Sequence, residues 1–276
     1  MRSFSNQKEL IKALEEYKGK KVGFVPTMGA LHSGHASLII KAKAECDIVV
    51  CSIFVNPTQF NDAKDFDRYP IRTEEDMEIL QSLGCDVLYL PSSVDDVYQN
   101  EVDFNVDLGI LDKIMEGVGR PGHFDGVVRV VKLLFEIVNP THAYFGLKDF
   151  QQYQIIKTMS GQLNMGVEVI GCPIIREDDG LAKSSRNLLL NLTERQYATT
   201  LIKTLRYAKE HFNGENLVEL EKQCLDMMRQ YGDPEYFVIR RADNLEIPSE
   251  DYKGEIRAFV VCQIGKIRLI DNLQIQ

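Results

Sequence analysis

Between residues 21 and 172, short runs rich in valine and isoleucine alternate with longer amphipathic stretches, a rhythm that few folds accept. The runs are Lys21 to Val25, Asp47 to Phe54, Asp86 to Leu90, His142 to Phe145 and Val167 to Cys172. Most are almost continuously apolar, as expected of parallel strands covered on both faces. Helical spacing marks His35 to Ala44, Glu74 to Leu83, Phe124 to Val138 and Asp149 to Leu163. An earlier helix carries Leu10, Ile11 and Leu14 on its apolar face, with Ser3 or Ser5 as its cap. The alternation predicts an α/β domain built on a doubly wound parallel sheet. Ligands of such sheets bind beyond the carboxyl ends of the strands.

Past Arg176 the rhythm changes. A helical block follows Thr193, a second runs from Glu215 to Tyr231, and three strand-like segments close the chain. Those segments are Glu235 to Arg240, Arg257 to Cys262 and Lys266 to Ile270. Two helices followed by a small antiparallel sheet predict a separate α+β lobe. The division expected is residues 1–175 and 176–276, joined by a short hinge.

Composition removes several classes. A net charge of −9 over 276 residues argues against a nucleic-acid partner, which calls for basic patches. No apolar run reaches the roughly 18 residues of a membrane-spanning helix, so no membrane partner is expected. The first 20 residues are charged and amphipathic, unlike a signal peptide. Six scattered cysteines without a CxxC pair read as reduced, mostly buried thiols in a cytoplasmic protein.

Chemistry gathers where predicted strands end. After the first lies Val25-Pro-Thr-Met-Gly-Ala-Leu-His-Ser-Gly-His35. His32 and His35 open the following helix, where ring nitrogens and free backbone N–H groups suit an anion. Two surface histidines or a metal pair have the same spacing, but a third ligand is missing nearby and so is the glutamate of a metalloprotease. After the His142 strand comes Phe145-Gly-Leu-Lys-Asp-Phe-Gln-Gln152. Lys148 suits a phosphate, Gln151 and Gln152 suit a hydroxylated carboxylate, and Asp149 suits a helix cap. An ordinary solvated turn fits the same residues. Arg176-Glu-Asp-Asp-Gly-Leu-Ala-Lys-Ser-Ser-Arg-Asn187 offers two hydroxyls and an arginine on one loop, apt for further phosphates but also common loop material. Phe54-Val-Asn-Pro-Thr-Gln-Phe60 places Asn56 and Gln59 among aromatics, in a plain Asn-Pro turn or a small polar pocket.

In this order, with Arg68-Tyr-Pro70 and Arg120-Pro-Gly-His-Phe-Asp-Gly-Val127 between them, the segments resemble the pantothenate synthetase family of His-x-Gly-His nucleotidyltransferases. The resemblance covers about residues 20–190. It implies a Rossmann-like nucleotide- and pantoate-binding domain, a smaller C-terminal lid and a homodimer. It also implies ATP with Mg2+, pantoate and β-alanine as substrates, joined through a pantoyl-adenylate. By motif, His32, His35, Lys148, Ser184, Ser185 and Arg186 would hold ATP and its phosphates, with His35, Lys148 and His32 catalytic. Met28, Gly146, Asp149, Ile175 and Lys183 would border the nucleotide. Met28, Gln59 and Gln152 would hold pantoate, while Tyr69, Glu116 and Arg120 would shape the pocket. Asp76 matches an acidic position near magnesium. Leu147 stands where the family commonly has glutamate, Lys183 where it has methionine, and Ile71 stands between Tyr69-Pro70 and the Arg72-Thr73 that usually follows it directly. Two rival readings are an adenylyl- or cytidylyltransferase with a phosphorylated acceptor, and a nucleotide-binding regulator without turnover. The neutral Gln59 and Gln152 favour a carboxylate acceptor, and the intact donor set favours turnover.

Overall fold

The computed structural model describes residues 1–60, 66–67 and 69–276. Its chain forms two compact units. The first comprises Met1–Leu147 and Gln151–Pro173, and the second Lys148–Phe150 and Ile174–Gln276.

The first unit holds a six-stranded sheet, every pairing of which is parallel. Its strands are β1 (Arg2–Phe4), β2 (Val22–Thr27), β3 (Ile48–Ile53), β4 (Val87–Tyr89), β5 (His142–Gly146) and β6 (Glu168–Cys172). They lie in the order β1-β4-β3-β2-β5-β6. The order reverses between β2 and β5, so the crevice for a ligand falls where those two strands end. These are the two strands followed by the His32 and Lys148 motifs.

The amino terminus differs from expectation. Ser3 lies in β1, which pairs with β4, so the first helix starts later. Asn6 caps α1 (Gln7–Leu14), its Oδ1 accepting the Lys8 N–H at 2.9 Å.

One face of the sheet packs against α2 (Ser33–Glu45) and α3 (Thr73–Ser82) through Val25, Leu38, Ile39, Ala42, Leu80 and Leu88. Two short helices follow in the chain, α4 (Val94–Tyr98) and α5 (Glu116–Gly119). The next, α6 (His123–Val138), is buried along almost its whole length. Phe135 on α6 meets Phe24 of β2 edge-on at 6.2 Å. A helix buried on nearly every side must be apolar on nearly every side, which explains its Val-Val-Arg-Val-Val-Lys-Leu-Leu-Phe sequence. Its inner Lys132 pairs with Glu136 at 2.7 Å. Between β5 and β6 the chain forms α7 (Phe150–Gln162).

The second unit is an antiparallel β7-β8-β9 sheet: β7 (Asp233–Arg241), β8 (Ile256–Ile264) and β9 (Ile267–Gln274). The helices α8 (Leu192–Ala198), α9 (Thr200–His211) and α10 (Leu217–Arg229) accompany it. Leu201, Leu205, Leu220, Cys224 and Met228 join Phe237, Ile239, Ala258 and Val260 in one core. The central strand β8 is buried at all but one position, which explains its nearly unbroken apolar run. All six cysteines are free thiols. Burial pushes Cys85 and Cys172 up to about 11 and Cys224 and Cys262 up to about 12, so these thiols stay protonated. Among the described residues no helix is long and apolar enough to cross a membrane.

Candidate active site

The turn after β2 is held by side chains rather than by its own backbone. Thr27 Oγ1 accepts the Gly29 N–H at 3.2 Å. The two oxygens of Asp76 accept the N–H groups of Ala30, at 2.8 Å, and Leu31, at 2.7 Å. Gly29 sits at φ +82°, and a Cβ there would come within 3.0 Å of Asp76 Oδ2. The position therefore needs glycine both for its torsion and for the approach of the carboxylate.

His32 is the N-cap of α2. Its Nδ1 accepts the Gly34 N–H at 3.1 Å, while His35 Nδ1 accepts the His32 N–H at 3.3 Å. This is a capping box in which two imidazoles play the parts usually taken by Ser and Glu. A backbone N–H only donates, so both Nδ1 atoms are acceptors and each neutral ring carries its proton on Nε2. The rings stack with centroids 4.2 Å apart. The sequence suggested that helix-start N–H groups would meet an anion. The structure gives those of His32 and Gly34 to the histidines, and the donors become two adjacent Nε2–H groups.

Asp76 is 1% exposed, with both oxygens engaged by the loop. Among the described residues no cluster of three or more His, Cys, Asp or Glu gathers to hold a metal. The carboxylate fits a clamp for the turn better than a magnesium ligand.

Met28 and Gln59 come together: Gln59 Nε2 donates to Met28 Sδ at 3.1 Å. Asn56 Nδ2 donates to Gln59 Oε1 and to the Gly126 carbonyl, each at 3.2 Å. Tyr98 O–H donates to Asn56 Oδ1 at 2.8 Å. A Cβ on Gly126 would lie 2.4 Å from the Thr58 carbonyl, so glycine lets α6 press directly on the Pro57–Gln59 turn. His123 completes the frame, with Nδ1 2.7 Å from the Gln59 carbonyl and Nε2 2.9 Å from Arg120 Nη1. Arginine has no acceptor and a carbonyl has no donor, so His123 is neutral with its proton on Nδ1. The sequence places Asn56 and Gln59 in one turn but does not pair that turn with Tyr98, His123 and Gly126, which lie 39 to 67 residues beyond Gln59.

The neighbouring glutamines separate. Gln151 is 4% exposed, donates to the Leu111 and Ile114 carbonyls and accepts the Glu116 N–H, so it ties down that segment. Gln152 is half-buried, and among the described residues its side chain has no hydrogen-bond partner. Tyr69 packs edge-on against Phe60 at 5.8 Å. Arg68 lies outside the described residues, and Ile71 is exposed. Gly146 ends β5 opposite Cys172, and Leu147 opens the short helical turn that follows.

The remaining candidates belong to the second unit. Lys148 Nζ lies 3.8 Å from Asp149 Oδ1, and the Lys148 carbonyl accepts from Asn272 Nδ2 at 3.0 Å. Ile175 and Lys183 face each other across a hairpin, joined by the Lys183 N–H to the Ile175 carbonyl at 2.9 Å. Lys183 Nζ pairs with Glu177 at 2.6 Å. Burial works to raise the Glu177 carboxyl, but Lys183 and Asn187 prevail and hold it below the usual range. Ser184 Oγ accepts the Arg186 N–H at 3.2 Å and caps the turn Ser185–Leu189. Arg186 is exposed.

The family model described as pantoate–β-alanine ligase matches residues 1–274. The chain belongs to this family. It is 43% identical over 269 residues to the pantothenate synthetase of Cytophaga hutchinsonii, covering 95% of this chain and 94% of the relative. Identity to that of Fervidobacterium nodosum is 48% over 261 residues, covering 93% and 92%. The crystal structure of pantothenate synthetase from Thermus thermophilus superposes with a TM-score of 0.90 at 39% identity, covering 100% of this chain and 99% of that one. A pantoate–β-alanine ligase from Francisella tularensis, described as complexed with “Beta-gamma ATP” and β-alanine, superposes at 0.82 with 37% identity, covering 100% and 98%. The doubly wound sheet with its small antiparallel companion is thus the fold of these ligases.

Proposed function

We propose that the chain joins pantoate to β-alanine at the expense of ATP, through a pantoyl-adenylate, releasing AMP and pyrophosphate. Family membership supports this reaction, and the reciprocal cap of His32 and His35 supports the chemistry. Two Nε2–H donors side by side at the end of β2 suit a charge developing on the α-phosphate. A phosphorylated acceptor, as in the related nucleotidyltransferases, finds less support, because Gln59 and Gln152 are uncharged.

In the first step a pantoate carboxylate oxygen attacks the α-phosphorus and pyrophosphate leaves. The protein forms no bond in this step, so its contribution is in-line placement and charge stabilisation. His35, Lys148 and His32 are assigned to that charge, and Ser184, Ser185 and Arg186 to the remaining phosphates. Met28, Gly146, Asp149, Ile175 and Lys183 are assigned to the borders of the nucleotide, and Met28, Gln59 and Gln152 to pantoate. ATP enters as its magnesium complex, the ion travelling with the phosphates. In the second step the free amine of β-alanine attacks the acyl carbon, AMP departs, and the nitrogen gives its proton to solvent. The family resemblance supports a homodimer working in the cytoplasm, with the first unit taking nucleotide and pantoate and the second acting as a lid.

The test is pyrophosphate–ATP exchange with magnesium and without β-alanine. Exchange is expected only when pantoate is present. Folded protein that binds ATP but shows no pantoate-dependent exchange would overturn the reading.

A further inference from the structure

Two adjacent residues of β9, Asp271 and Asn272, are polar, 3% and 1% exposed, and belong to no motif that the sequence displayed. A strand alternates its side chains between faces, so the pair reaches in two directions from one point of the backbone. Each direction ends on a segment assigned to ATP.

Asn272 Oδ1 accepts from Arg257 Nε at 3.1 Å and Nη2 at 3.0 Å. Arginine only donates, so this fork fixes which end of the amide is oxygen. The opposite end, Nδ2, then donates to the Lys148 carbonyl at 3.0 Å. The same guanidinium lies 4.6 Å over the Phe150 ring, and Phe150 packs on Phe259, the register partner of Asn272, at 5.6 Å. These contacts explain why Lys148–Phe150 group with the second unit although the chain on either side belongs to the first. Asp271 takes Arg176 in a two-pronged pair, at 2.6 and 3.0 Å. Arg176 in turn donates to the Gly180 carbonyl, at 3.0 Å, and to the Asn272 carbonyl, at 3.2 Å. It thereby braces the root of the hairpin that leads to Ser184. A buried amide or carboxylate left unpaired is costly, so neither segment can shift without breaking the pair's own bonds.

We propose that Asn272 is a positioning residue for Lys148, and Asp271 for the Arg176–Arg186 loop, so that β9 holds both phosphate-directed segments in one frame. The proposal rests on the assignment of Lys148 to ATP. Asn272→Ala removes the bond to the Lys148 carbonyl. Pantoate-dependent exchange should then lose roughly 10–100-fold in kcat/KM for ATP, the scale of a misplaced catalytic group, while KM for pantoate stays within about twofold. Asn272→Asp keeps the size and the acceptor for Arg257 but lacks the donor, and should show the same loss. It carries the test if the alanine variant fails to fold. In a Lys148→Ala background the same substitutions should add nothing further to the loss in kcat, because Asn272 acts through that side chain. Near-wild-type ATP kinetics in both Asn272 variants, alongside a crippled Lys148→Ala, would overturn the positioning role and leave the Lys148 assignment standing. Fully additive losses, or equal rises in KM for both substrates with a lowered Tm, would also overturn it. A Lys148→Ala enzyme with wild-type exchange would remove the assignment itself.

Discussion

In the turn after β2, the backbone N–H groups of Gly29, Ala30, Leu31, His32 and Gly34 all bond to side chains of the protein. In the loop ending at Asn187 the N–H groups of Glu177, Gly180, Lys183 and Asn187 bond instead to backbone carbonyls. Ser184 holds one N–H, Arg186 is exposed, and Leu188 and Leu189 stand 76% and 66% exposed beside it. The first region is assembled before any ligand arrives, as electrostatic stabilisation of a transition state requires. The second is a backbone-bonded hairpin whose Arg186, Leu188 and Leu189 are exposed. Substitutions in the first should therefore lower turnover and folding stability together, whereas those at the exposed tip of the second should act mainly on ATP affinity.

The largest effect is expected for His35→Ala, which removes an Nε2–H donor and the acceptor for the His32 N–H. Turnover in the exchange assay should fall about 10²–10³-fold, the range for one preorganised donor. Asp76→Ala leaves the Ala30 and Leu31 N–H groups without their partner, and at about 1–3 kcal/mol each the destabilisation should be on the order of 2–6 kcal/mol. Thermal melts read the loss, and an alanine variant with wild-type Tm and turnover would break the picture of a prebuilt turn. Gln59→Ala and Gln152→Ala should each raise KM for pantoate roughly tenfold with less effect on ATP, about 1.4 kcal/mol apiece. Only Gln59→Ala should also lower Tm, because only Gln59 is bonded into a frame. Equal shifts in KM for both substrates would count against the division of roles.

Smaller changes are expected in the second region. Ser184→Ala removes a cap from a short turn, worth about 0.5–1 kcal/mol, and should appear as a several-fold rise in KM for ATP with little change in Tm. A drop of several degrees would instead mean that this loop is prebuilt too. The smallest effect belongs to Lys183→Met, which breaks a part-exposed pair worth up to about 1 kcal/mol. The lowered Glu177 carboxyl contributes stability that is present above the ordinary carboxylate range and lost as pH falls through its depressed native value. The variant should therefore lose stability at neutral pH and match the parent at strongly acidic pH, as paired melts would show.

Much of this molecule is legible along the chain. Apolar runs at strand spacing and helices at 3.6-residue spacing reflect burial, and burial acts residue by residue, so the sheet and the later α+β unit follow from pattern alone. Pattern failed at β1, where three residues pair with β4 and give the cap of α1 to Asn6. The motif residues His32, His35, Lys148, Gln59 and Ser184–Arg186 also stand out in sequence, because each follows a predicted strand or sits on a polar loop.

Only the tertiary structure decided what those residues bond to. Gln151 and Gln152 are equivalent as letters, yet one ties down the 111–116 segment and the other has no partner among the described residues. Asp76 stands out only by its match to an acidic family position, and the fold gives it two N–H groups 45 and 46 residues away. Asn272 reaches the Lys148 carbonyl across 124 residues. Periodicity records which residues are buried, whereas the partner of a buried polar group depends on which distant segment the fold brings within about 3 Å of it.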